Sequence, residues 1–169
     1  MNYLVIVLRL VHILSGVFWV GSTVFLAFFL GPAVTAIADS GQKLMAHLVT
    51  KARISVIISA AAGITVLAGL WLYGIDSGGG TSAWSTSGPG RGFGIGGLFG
   101  IIGLIFGGLV GANINKLGKL ASEIQGKPTP EQLNQVQAAQ KQLAIVGPIS
   151  TVAQIIAVLC MATARYWVF

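Results

Sequence analysis

Arg9 and His12 are ionisable side chains set inside a long apolar stretch. A charged group at the centre of a bilayer costs about 2.5–3.5 kcal/mol or more, so such residues face a bundle interior and mark function. Arg9, His12, Gly16, Trp19 and Thr23 recur at alternating spacings of three and four, which sets them on one stripe of a helix. A neutral imidazole on that stripe is a good axial ligand for heme iron, and the guanidinium beside it can neutralise a propionate. A hydrogen-bonded structural histidine is the other reading. Near the C-terminus Arg165 follows Met161 by four residues, as Arg9 precedes His12 by three. If both termini lie on one side of a membrane, His12 and Met161 each stand about eight to eleven residues inside it and share a level at 1.5 Å per residue. One iron held by His12 and Met161, with Arg9 and Arg165 on its propionates, is what this placement offers if the first and last helices face each other. Core packing is the alternative for Met161.

Other chemistry is thinly represented. His47 lies in the basic stretch 43–53 and reads as a solvated surface residue, roughly 10 Å or more from the level of His12. The spans hold no pair of carboxylates for a proton relay. The chain has one Cys, three Met and two His, with no cluster spaced for Cu(I) or zinc. No nucleotide loop or Ser-His-Asp arrangement is present.

Glycine forms a second pattern. Gly96, Gly100, Gly103, Gly107 and Gly111 fall on one helical face, where another backbone or a flat ligand can approach closely. Helix packing is one use of such a face. A groove for a planar cofactor, with Gly100 and Gly103 against it, is the other. Ser55, Ser59 and Gly63 make a similar narrow face on the preceding span.

The elements that position these residues follow from composition. The 169 residues are 54% hydrophobic and only 8% charged, with mean hydropathy +0.85. A soluble domain carries about 25% charged residues, so water is not the main solvent of this chain. Four apolar stretches, 3–36, 54–73, 93–112 and 143–169, each reach the roughly 20 residues that cross about 30 Å of hydrocarbon. The expected fold is all-α, a single four-helix transmembrane domain over residues 1–169 with its last helix at 148–168. The start Met1-Asn2-Tyr3-Leu4 lacks the basic segment of a signal peptide, so the first helix is expected to be retained.

The formal charge of +6 sits mainly in two connections, Lys43, Lys51 and Arg53 in one and Lys116, Lys119, Lys127 and Lys141 in the other. In a membrane protein that pattern sets topology and excludes nucleic acid as the natural partner. Those connections are expected in the cytoplasm and both termini outside. Thr129-Pro130-Glu131-Gln132 has the form of a capping box with proline at the first helical position. It predicts a short cytoplasmic amphipathic helix between the third and fourth spans, kinked or restarted at Gly147-Pro148.

The run from Val11 to Gly21, with His12, Trp19 and Gly21 as its marks, resembles the opening of the CopD-like group of small bacterial membrane proteins. That group includes copper-resistance D proteins and is similar to the HemJ-type protoporphyrinogen oxidases. The resemblance implies a b-type heme on His12 and residence in the bacterial inner membrane. Where the HemJ type carries Pro-Arg and a later His, this chain reads Phe28-Phe29-Leu30-Gly31-Pro32, so the oxidase activity is not part of what is implied. The expectation is a heme b protein that exchanges electrons with a quinone or a partner subunit. A heme-free scaffold subunit, packed in a larger complex or as a homo-oligomer within the lipid bilayer, is the alternative.

Overall fold

The computed structural model describes residues 3–80, 83–124 and 126–168, apart from the side chains of Ala38 and Asp39. Among the described residues there are five helices and no strand. They are α1 (Tyr3–Ala36), α2 (Ala38–Thr50), α3 (Ile54–Asp76), α4 (Gly88–Glu123) and α5 (Pro130–Thr163). Single 3₁₀ turns follow at Ala83–Thr86 and Ala164–Tyr166. Helices α1, α3, α4 and α5 are long and apolar enough to cross a membrane, so the chain is a multi-pass membrane protein of helical architecture.

Local chemistry explains the irregularities. Pro32 has no N–H to offer and its ring would crowd the carbonyl four residues back. The helix absorbs this in one π-helical turn, Leu26–Leu30, where Gly31 N–H donates to Leu26 O, and α1 continues to Ala36. At the start of α5 the capping box forms as its sequence predicts. Gln132 N–H donates to Thr129 Oγ1 at 3.2 Å, and Thr129 N–H donates to Gln132 Oε1 at 2.9 Å.

The helix does not restart at Gly147-Pro148. Residues 130–163 form one helix with Pro148 in its interior, so the surface segment and the last span are a single element. Thr151 Oγ1 donates to Gly147 O at 3.0 Å there, a side-chain bond that accommodates bending. The separate short helix is instead α2, between the first and second spans. Its stripe Gly41, Met45, Leu48 and Val49 is turned inward while Lys43 and His47 are exposed. Val49 rests on Gly118 of α4, where an added Cβ would stand 3.0 Å from its Cγ1.

Neighbouring spans run antiparallel in the order α1, α3, α4, α5. The α4–α5 seam is the most extensive, the α1–α3 and α3–α4 seams follow, and α1 meets α5 only sparsely. The interior is built from small residues, including Ala62, Ala68, Ala153, Ala157 and Ala164, around the buried ring of Trp19. At the end near the termini, Tyr73 meets Trp84 edge-on with centroids 5.5 Å apart, and Trp84 stacks on Phe93 at 6.2 Å. Such a cluster suits the membrane–water boundary.

Candidate functional site

His12 is half-buried at the seam of α1 and α3, and its Nδ1 lies 2.7 Å from the backbone carbonyl of Thr65. A carbonyl oxygen only accepts, so Nδ1 carries the proton and donates. In the neutral imidazole Nε2 then keeps its lone pair. Helical carbonyls are ordinarily covered by the side chain one turn on, because side chains lean toward the N-terminus. The residue one turn after Thr65 is Gly69. A Cβ there would sit 2.7 Å from His12 Cε1 and 3.0 Å from Nδ1, so the ring occupies the space that a side chain would take.

The same seam is tied one turn deeper. Gly16 abuts Thr65, where an added Cβ would be 3.3 Å from Thr65 Cγ2. Thr65 Oγ1 donates to Ser15 Oγ at 2.8 Å and lies 2.7 Å from Ala61 O, while Ser15 Oγ donates to Val11 O at 2.6 Å. One turn above His12, Arg9 pairs with Asp76 at 3.8 Å with its side chain 60% exposed. The outer part of the α1 stripe therefore lies along α3, Arg9 matched by Asp76 and His12 by the Thr65 carbonyl, with the neighbouring Ser15 matched by the Thr65 hydroxyl.

Met161 takes a different neighbour. It packs on α4, where a Cβ at Gly96 would stand 2.9 Å from its Cγ. Both residues lie toward the end of the bundle that carries the termini, His12 beside Gly69 of α3 and Met161 beside Gly96 of α4. The directions differ, since His12 turns to α3 and Met161 to α4. Arg165 is exposed on the 3₁₀ turn after α5.

Trp19 and Gly103 are brought together in the middle of the bundle, where a Cβ at Gly103 would lie 3.7 Å from Trp19 Cη2 and 2.9 Å from Gln154 Cγ. Ser150 Oγ donates to Gly103 O at 3.1 Å and Gln154 Nε2 donates to Ser150 Oγ at 2.9 Å. Gln154 is 1% exposed, and its Oε1 has no hydrogen-bond donor among the described residues. The glycine face divides. Gly96, Gly103 and Gly107 are filled by α5, Gly111 faces Ser59 of α3, and Gly100 looks onto open space.

Thr65 and Gly69 of the candidate site, and Ser150 and Gln154 of the bundle interior, are residues that sequence reasoning passed over. The Thr65/Gly69 pair was readable as a hydroxyl residue followed one turn later by a gap, at the depth of His12. Gln154 was readable as an amide within the apolar run of the last span.

Among the described residues no three His, Cys, Asp or Glu side chains gather as a metal site. A porphyrin-held iron brings four nitrogen ligands of its own and asks the protein for one or two axial donors. The donor set of His12 fits that requirement, since its Nε2 is the free nitrogen and its Nδ1–H is anchored, as in metal-ligating histidines generally. Compared with protein-family models, with curated proteins and with solved structures, the chain matches none.

Proposed function

We propose that this membrane protein carries a b-type heme on His12 Nε2 and passes electrons to or from a quinone or a partner subunit. The observation that carries the proposal is the His12 Nδ1–Thr65 carbonyl bond, which fixes the tautomer and aims of a ligating imidazole. Arg9, beside its Asp76 partner, supplies a cation one turn nearer the membrane surface for a propionate, and Arg165 is an exposed second cation on that end. Open space at Gly100 leaves room beside α4, whereas Trp19 and Gly103 serve the packing that holds the bundle. Met161 becomes a sixth ligand only by leaving Gly96. The heme, when bound, supplies one-electron chemistry; His12 would hold its iron and Arg9 and Arg165 would balance its carboxylates. The resemblance over Val11 to Gly21 points the same way.

Seven of the ten Lys and Arg side chains belong to the two basic connections. The proposed orientation therefore has those connections in the cytoplasm and both termini outside, in a bacterial inner membrane. Protein purified from membranes and reduced with dithionite should show a Soret band and a sharp α-band. A folded preparation that stays colourless after hemin addition favours the second reading, a heme-free scaffold subunit. That reading rests on Gly97 and Gly100, whose surroundings are open and admit a helix of another chain or copy.

A further inference from the structure

The basic end of the bundle holds a groove between α3 and α4, on the opposite half of the membrane from His12. It measures about 540 Å³, within the range of ligand pockets, and is lined chiefly by Ser55, Ser59, Ala60, Gly108, Gly111 and Asn115. The walls stay apart because their facing side chains are small. An added Cβ at Gly108 would meet nothing within 4 Å, and one at Gly111 would stand 3.6 Å from Ser59 Oγ.

The groove changes character along its length. Its deep end, at Ala60 and Gly108, is apolar. Toward the surface Ser55 Oγ donates to Asn115 Oδ1 at 2.6 Å, which leaves Nδ2 as the donor end of that amide. Beyond Asn115 the same face of α4 presents Lys119, four residues on. Its contact with Glu123 is 3.9 Å between exposed side chains, a weak pair that leaves the cation available. On the other wall Arg53, in the left-handed region at φ 51°, immediately precedes the first turn of α3. No side chain caps that helix, so its N-terminal end adds positive potential beside Arg53. The order apolar, hydrogen-bonding, cationic is the order of a phospholipid's acyl chain, ester region and phosphate.

We propose that this groove binds one anionic phospholipid, with an acyl chain along Ala60 and Gly108, ester oxygens at Ser59 and Asn115, and the phosphate between Lys119 and Arg53. Basic pockets between spans on the side of the positive connections take such headgroups. The proposal is independent of heme.

The test is native mass spectrometry of the detergent-purified full chain offered phosphatidylglycerol or phosphatidylcholine of identical acyl chains, with inorganic phosphate as a third ligand in thermal-shift measurements. One phosphatidylglycerol should be retained in preference to phosphatidylcholine by roughly tenfold or more, as two added cations imply. Arg53→Gln combined with Lys119→Gln should abolish the preference. Gly108→Leu, or Ala60→Leu from the other wall, should exclude both lipids. Gly108 has the open surroundings that let a larger residue fit without unfolding the bundle. Equal retention of the two lipids, a preference that survives the double substitution, or lipid still held by a folded Gly108→Leu or Ala60→Leu chain overturns the proposal. Stabilisation by inorganic phosphate equal to that by phosphatidylglycerol overturns it as well, since an acyl channel would then be idle.

Discussion

Gly69 and His12 fit as floor and ring: the imidazole lies where a Cβ on residue 69 would stand, 2.7 Å from its Cε1, and reaches the Thr65 carbonyl across that gap. In an unobstructed helix Gly→Ala gains up to about 1 kcal/mol. At this position the methyl must displace the ring, so Gly69→Ala is expected to destabilise by about 1–3 kcal/mol and to weaken heme retention. Thr65→Val keeps the backbone carbonyl, loses the hydroxyl link to Ser15 and should lose only about 1 kcal/mol, with heme retained. Thermal unfolding in detergent, followed by circular dichroism alongside hemin titration, measures both. A Gly69→Ala protein that is more stable and binds hemin normally has a ring seated elsewhere.

Glycines of α4 should answer to their neighbours rather than to their spacing. A Cβ at Gly103 stands 2.9 Å from Gln154 Cγ, whereas one at Gly97 meets nothing within 4 Å. Gly103→Ala is expected to lose about 1–3 kcal/mol. Gly97→Ala should be neutral or gain up to about 1 kcal/mol. Equal effects at the two positions, read by thermal unfolding, contradict the placement of α5 against α4.

Gln154 gives a prediction of opposite sign. Its Oε1 is buried without a donor among the described residues, and a buried polar atom left unmet costs about 1–3 kcal/mol. Gln154→Leu removes that atom together with the bond to Ser150 at similar volume. It should leave stability unchanged or raise it by about 1 kcal/mol. A marked loss of stability means that Oε1 has a partner in the folded protein.

The four spans were legible because their hydrophobic length is set by the bilayer, and the α5 cap because Thr129 to Gln132 makes a self-contained set of bonds. Locality decides what was not. Gly147-Pro148 reads as a break in isolation, yet the helix holds together beside the long α4 seam. The inward stripe of α2 is settled by its contact with Gly118 of α4, far along the chain, so Lys43 to Arg53 reads locally as a connection. Counting residues along two spans leads to the expectation that His12 and Met161 share a level. The direction each side chain takes depends on Gly69 and Gly96, which lie on other helices and which no count along α1 or α5 contains.

The orientation can be read without knowing function. In a chain whose Cys160 is replaced by Ala, a cysteine at Thr86 should react with an impermeant maleimide added to intact cells. One at Lys119 should react only after lysis. The reverse pattern inverts the topology and moves His12 to the cytoplasmic half.

The most direct measurement is the reduced-minus-oxidised absorbance spectrum of wild-type, His12→Ala and Met161→Ala proteins, each shown to be helical and monodisperse. The account predicts that His12→Ala loses the Soret and α-bands, because the iron loses its strong nitrogen ligand while the bundle loses one hydrogen-bonded side chain. Met161→Ala should keep heme. A shifted spectrum and a lower potential in that variant mark Met161 as the sixth ligand, and an unchanged one leaves the iron on His12 alone. A His12→Ala protein with the wild-type heme spectrum would place the iron elsewhere and contradict the central claim.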